Sequence, residues 1–76
     1  MTIQEAFGKF AENAKAAAIQ GHAFGPVYVS REGGEVLVFL ENKTGDIIST
    51  ASFEDDGQTS LDDVRLVFKM IGKLVS

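Results

Sequence analysis

The residues that could most readily do chemistry are five carboxylates crowded into the stretch FEDDGQTSLDD, residues 53–63. Carboxylate oxygens bind Ca²⁺ and Mg²⁺, and paired carboxylic acids supply the acid and base of glycoside hydrolysis. A calcium loop needs acids at alternate positions and a Glu near its end. Here Glu54, Asp55 and Asp56 are consecutive, Gly57 follows at once and no Glu comes later. We therefore expect no calcium site in this stretch.

The chain lacks the residues that other kinds of catalytic site require. The absence of Cys excludes thiolate metal sites and cysteine nucleophiles, and the single His, His22, has no Ser, Cys or acid beside it. A magnesium–phosphate site would need a glycine-rich cradle or a basic clamp. Paired glycosidase carboxylates would need a cleft, which a chain of 76 residues rarely builds. We expect a protein that is not an enzyme and uses no metal or cofactor.

The acidic segment, residues 54–63, therefore has two remaining interpretations. Ser60 followed three residues later by Asp63 is a weak capping box, and Asp62 and Asp63 suit the positive end of a helix dipole. The three consecutive acids at 54–56 exceed what a turn needs. They form either a solvated loop or an acidic surface that docks a basic partner.

A helix is predicted at the start of the chain. Thr2 and Glu5 have the capping-box spacing, and apolar residues then recur at helical intervals as far as Ala18. Gly21 is a natural C-terminal stop. Gly8 is unfavourable within a helix, so its presence predicts a close contact at that point.

Three strands are predicted after this helix. The segments VYVSR, VLVFLE and IISTASF alternate in polarity and are separated by the turns EGGE and NKTGD, whereas GHAFGP is a loop before them. The middle segment is apolar on both faces, which is typical of a central strand. Connections this short force an antiparallel meander.

A second helix begins at TSLDD and is apolar over more than half of its circumference. Its predicted core stripe contains Leu61, Val64, Phe68, Ile71 and Val75. Outside that stripe lie Leu66, Val67, Met70 and Leu74.

The order α-β-β-β-α predicts an α+β fold in a single compact domain spanning residues 1–76. We expect a three-stranded antiparallel meander with both helices packed on one face. The other face would expose Tyr28, Leu37, Phe39 and Ile48. Leu66 and Met70 on the back of the second helix would add to this apolar surface. Exposed apolar patches usually mark an interface, so we expect contact with another protein chain, including a homodimer.

The net charge of −4 is unevenly distributed. Between residues 41 and 63 there are seven acids against Lys43, whereas Arg65, Lys69 and Lys73 follow with no acid among them. Nucleic-acid binding rests on clustered bases, so this balance disfavours it and favours a partner with a basic surface. No apolar run approaches the roughly 18 residues of a membrane span, and the first residues lack a signal-peptide pattern. We expect a cytoplasmic protein without membrane contact.

The order of elements resembles that of the double-stranded RNA-binding domain. That family contacts RNA through its first helix, its first strand–strand loop and a Lys-rich start of its second helix. Here the loop is REGGE and the helix start carries Asp62 and Asp63, so the resemblance implies the fold rather than RNA binding. Nucleic-acid binding is the alternative function, through the basic end of the second helix together with Tyr28, Arg31, Phe39 and Lys43.

In size, charge and topology the chain is also similar to small acidic inhibitors encoded by phages and mobile elements, including some anti-CRISPR proteins. Those inhibitors occupy the basic surface of a nucleic-acid-binding machine. The similarity implies a non-enzymatic inhibitor that binds a host protein. The predicted partner-binding residues are Tyr28, Leu37, Phe39, Ile48, Glu54, Asp55, Asp56, Leu66 and Met70.

Overall fold

Two helices flank three consecutive strands in the computed structural model, which describes residues 2–76. The elements are α1 (Ile3–Ile19), β1 (Phe24–Glu32), β2 (Glu35–Asn42), β3 (Ile47–Glu54) and α2 (Leu61–Val75). The strands form one antiparallel sheet in the order β1-β2-β3. The predicted α-β-β-β-α order and the central position of the middle strand are confirmed.

Both helices begin at the residues that the sequence predicts. Thr2 caps α1: its Oγ1 accepts a hydrogen bond from the N–H of Glu5, and the Glu5 carboxylate accepts one from the N–H of Thr2, each at 3.2 Å. The bond from the Thr2 backbone holds the pKa of Glu5 below its ordinary value. Ser60 caps α2, where its Oγ accepts a hydrogen bond from the N–H of Asp63. Each cap satisfies a backbone donor that has no partner inside the helix.

The core lies between the two helices and one face of the sheet. Helix α1 packs on β3, α2 packs on β1, and the helices contact each other. Phe68 is fully buried at the centre, with its ring centroid 4.9 Å from that of Phe10 and 5.1 Å from that of Phe7. The ring of Phe53 stacks on Phe68 from the sheet at 6.3 Å. These contacts confirm that both helices cover the same face, which leaves the other face of the sheet without a helix.

Strand β1 begins three residues earlier than the sequence predicts. Phe24 pairs with Asn42 and Val27 with Leu40, so one extra residue forms a bulge in β1. The bulge keeps Phe24 on the core side, where it packs against the buried cluster. A side chain at Gly25 would place its Cβ 2.7 Å from the backbone oxygen of Asn42, so this position requires glycine. The Gly-Pro pair indicated a loop, but it marks a bulge on an edge strand.

A second bulge makes the predicted position of Ile48 wrong. Leu40 pairs with Ser49 but Glu41 pairs with Ile47, so Ile48 has no partner on β2. The extra residue reverses the inward and outward alternation before Ser49. Ile48 therefore packs against the core, and Ile47 is exposed near Asn13 and Ala16 of α1.

The contact predicted at Gly8 is also absent. Apart from the neighbouring residues and backbone of α1 itself, no atom of the described residues lies within 4 Å of the position that a Cβ would occupy there. Gly8 lies on the exposed side of α1, so its cost to the helix has no packing explanation.

Candidate functional site

Asp55 of the acidic segment is held by the protein itself. Arg31, near the end of β1, donates from Nε to Asp55 Oδ2 at 3.0 Å. The same guanidinium donates from Nη2 to the backbone oxygen of Thr59. The other oxygen of Asp55 accepts a hydrogen bond from the N–H of Gly57 at 2.9 Å. Asp55 and Arg31 therefore fix the connection between β3 and α2, and the charge of Asp55 is already matched.

Asp56 shapes the same connection. Its Oδ1 accepts hydrogen bonds from the N–H groups of Gln58 and Thr59 at 2.9 Å and from the Thr59 hydroxyl at 2.8 Å. These bonds favour the ionised form and hold the pKa of Asp56 below its ordinary value, the Gln58 contribution being the largest. Asp56 is exposed, so its charge still faces water.

Glu54 has a different position from the two acids that follow it. It ends β3 directly opposite Glu35 of β2, and both side chains are exposed. Like charges at opposite positions of a strand pair repel each other. Of the three consecutive acids, Asp55 and Asp56 organise the loop, and Glu54 joins a second acid on the outer side of the sheet.

The single histidine belongs to a second set of loop contacts. His22 Nδ1 accepts a hydrogen bond from Nδ2 of the buried Asn42 at 3.2 Å. The Oδ1 of Asn42 accepts from the N–H and hydroxyl of Thr44 and from the N–H of Asp46, between 2.8 and 3.0 Å. Asn42 thus joins the loop after α1 to the β2–β3 turn. The sequence signal for this role was the NKTGD turn, since Asn hydrogen-bonds backbone groups two residues ahead.

The residues of the alternative nucleic-acid site do not come together. Tyr28 and Phe39 are direct cross-strand neighbours on the outer face of the sheet. Arg31 lies on the other side, bonded to Asp55. Lys43 lies in the β2–β3 turn, at the opposite end of the sheet from Arg31. The positions of Arg31 and Lys43 are seven residues apart along the strand direction, which corresponds to roughly 23 Å.

The outer face of the sheet is partly apolar with an acidic border. Tyr28 is exposed, and Leu37 and Phe39 are half-buried beside it. Around these side chains lie Glu32, Glu35, Glu41 and Glu54. Of the four residues predicted for this face, Tyr28, Leu37 and Phe39 are placed there, and Ile48 is not.

Helix α2 carries a continuous apolar surface that faces away from the core. The α2 stripe, as we define it, consists of Leu66, Val67, Met70 and Leu74, which are between 41% and 84% exposed. At about 100° of rotation per residue, the four side chains fall within a sector about 100° wide. The core residues Val64 and Phe68 lie on the opposite side of the helix. Leu66 and Met70 are exposed as the sequence predicts.

Charged residues stand at both ends of the α2 stripe. Asp62 and Asp63 lie in the first turn of α2, and Lys73 lies in the last. Arg65 approaches Asp62 at 3.7 Å, on the side of the helix that borders β1. The stripe therefore has an acidic end and a basic end.

No protein-family model, no curated protein and no solved structure matches this chain. Within residues 2–76, no group of three or more His, Asp or Glu side chains is placed to hold a metal ion. None of the helices in that range is long and apolar enough to cross a membrane. Function has to be inferred from the exposed surfaces.

Proposed function

We propose that this chain is a non-enzymatic protein-interaction domain that binds another protein chain through the α2 stripe. The observation that carries the proposal is the exposure of Leu66, Val67, Met70 and Leu74 on one face of one helix. Single exposed apolar side chains are ordinary, but a contiguous group on a small protein is typical of an interface. An amphipathic helix that presents an apolar face at this spacing is a common way of binding protein.

The size of the stripe sets the strength of the contact. Complete burial of a Val, Leu or Met side chain contributes about 1.5–3 kcal/mol. With exposures between 41% and 84%, burying the four side chains contributes on the order of 4–7 kcal/mol from this chain. Association costs about 4–15 kcal/mol in lost freedom of motion. The partner must therefore supply an apolar surface of its own.

An inhibitor that presents acids to a basic host protein is the more specific form of this proposal. Its support comes from Glu54 and Asp56, which are exposed, and from the acidic border of the outer sheet face. Asp55 lends it less support because Arg31 already matches that carboxylate. The binding role proposed for the α2 stripe does not require the protein to be an inhibitor.

The proposal is tested by capturing proteins from the native host with matched variants. Met70→Glu places a charge in the middle of the stripe, and Ile19→Glu places the same charge at an exposed apolar residue of α1. Both sites are exposed, so both variants should retain the circular dichroism spectrum of the unaltered protein. We expect Met70→Glu to lose the captured partners and Ile19→Glu to keep them. Identical partners on both variants would refute a role for the stripe.

A further inference from the structure

We infer that the partner of the α2 stripe is α2 of a second copy of this chain, packed antiparallel about a two-fold axis midway between Leu66 and Met70. The inference rests on the proposed function, in which the stripe is the binding surface. It adds the identity of the partner and the direction in which the two helices run.

The stripe is laid out in a way that a two-fold axis can repeat. Leu66 and Met70 lie at equal distances on either side of the proposed axis, with Val67 between them. The rotation brings Leu66 of one copy against Met70 of the second copy, and the reverse contact forms at the same time. Leu66 and Met70 therefore meet each other across the axis without any change in the fold, whereas Leu74, six residues from the axis, comes level with Asp62 of the second copy.

The charges of α2 favour the antiparallel direction. The first turn contains Asp62 and Asp63, and the last turn contains Lys73. Among residues 2–76, neither Asp63 nor Lys73 takes part in an ion pair. The proposed axis places Asp63 level with Lys73 of the second copy, twice in each dimer. A parallel pair would instead set acid against acid and base against base, which is unfavourable.

The remaining bases of α2 do not oppose this arrangement. Arg65 and Lys69 line a depression with Pro26 and Val27 of β1, and Asp63 and Leu66 border the same depression. The two bases therefore flank the contact on the side towards β1, where Arg65 lies 3.7 Å from Asp62.

The outer sheet face is a poorer surface for self-association. Its apolar residues are bordered by Glu32, Glu35, Glu41 and Glu54. Two copies packed through that face would bring these acids towards one another in a chain that already has a net charge of −4. Lys9 of α1 lies beside Leu37 and Phe39 on this face, but four acids outnumber it, whereas the α2 stripe has acids at one end and a base at the other.

Disulfide cross-linking tests the direction of packing, because the natural chain contains no Cys. In the proposed dimer, the Cα atoms of the two copies of Leu74 are separated by roughly 18 Å along the helix axis, and those of the two copies of Asp63 by roughly 15 Å. A disulfide requires Cα atoms within about 7 Å. We expect Asp63→Cys mixed with Leu74→Cys to form a cross-linked pair, and neither variant to do so alone. Lys15→Cys, on an exposed position of α1, is the control for random collision. Equal cross-linking of Leu74→Cys with itself would overturn the antiparallel arrangement.

Variants with the charges of Asp63 and Lys73 swapped give a second, independent test, in which sedimentation measures the dimer dissociation constant. Asp63 and Lys73 are ten residues apart, or about 15 Å along one helix, so they cannot pair within one chain. We expect Asp63→Lys and Lys73→Asp each to weaken the dimer roughly three- to tenfold, since each change acts twice. The double variant should recover most of the loss. A double variant weaker than either single variant would refute the pairing.

The outcomes separate this inference from the proposed function. A chain that stays monomeric up to roughly 1 mM would have a dimer dissociation constant above that concentration, and this result would refute the self-pairing. If Met70→Glu still loses its captured partners in that case, the stripe binds a foreign protein and the proposed function stands. A dimer that survives Met70→Glu unchanged refutes the stripe as the self-contact.

Discussion

The contact between Arg31 and Asp55 predicts how the acidic segment behaves when either partner is removed. The side chain of Asp55 is 14% exposed and that of Arg31 is 40% exposed, with 3.0 Å between Nε and Oδ2. A fully exposed ion pair contributes about 0.2–1 kcal/mol, and a hydrogen bond to a charged group in a protected site contributes about 1.5–3 kcal/mol. Because solvent screens the exposed part of the guanidinium, we expect a coupling of about 1 kcal/mol.

Arg31 should matter more than Asp55 in the single variants. Arg31→Met also removes the bond to the backbone oxygen of Thr59, which adds about 0.5–1.5 kcal/mol. Asp55→Asn keeps an oxygen that can accept from Gly57, so it loses mainly the charge. We therefore expect a loss of about 2 kcal/mol for Arg31→Met and about 1 kcal/mol for Asp55→Asn.

A double-mutant cycle in urea measures this coupling directly. The free energy of unfolding is obtained for the unaltered chain, Arg31→Met, Asp55→Asn and the double variant. We expect the double variant to be about 1 kcal/mol more stable than the sum of the single losses implies. Strict additivity would show that the two side chains do not interact in solution. Asp55 would then be free to face a partner, as the sequence suggested.

The other predictions concern the remaining local features. Gly8→Ala should stabilise the protein by about 0.5–1 kcal/mol, because this exposed helix position has room for a Cβ. Gly25→Ala should destabilise it, because a Cβ there meets the Asn42 backbone. Thermal unfolding of the two variants tests both expectations. Phe68→Ala should cost about 3–5 kcal/mol in urea denaturation, and a loss below 1 kcal/mol would contradict the buried aromatic cluster. The pKa of Asp56 lies below its ordinary value of 3.8, so its stabilising effect is present above that pH and disappears as the pH falls through the folded-state value. Asp56→Asn should therefore show a smaller loss of stability on acidification, and an unchanged pH profile would refute the loop bonds.

Local patterns predicted the elements whose causes are local. The hydrogen bonds that start α1 join Thr2 and Glu5, three residues apart, so the spacing alone contains the information. The core stripe of α2 follows from helical periodicity, and Leu66 and Met70 were placed outside it for the same reason.

Features that depend on a single extra residue or on distant partners were not predictable in this way. Ile48 lies on the core side because one bulge reverses the alternation of a strand, and no residue type marks that bulge in the sequence. Asp55 is 24 residues from Arg31, so its partner became evident when β1 and the β3–α2 connection were brought together. The acids at 54–56 exceeded the needs of a simple turn because two of them organise this connection.

The most direct test of the central claim is a dilution series of the ¹⁵N-labelled chain followed by two-dimensional NMR. The claim is that two copies of this chain meet through the α2 stripe, and not through the outer sheet face. We predict concentration-dependent amide shifts along α2, strongest around Val67 and Met70, and absent from the Met70→Glu variant. Shifts centred on Tyr28 and Phe39, or spectra independent of concentration, would contradict the claim.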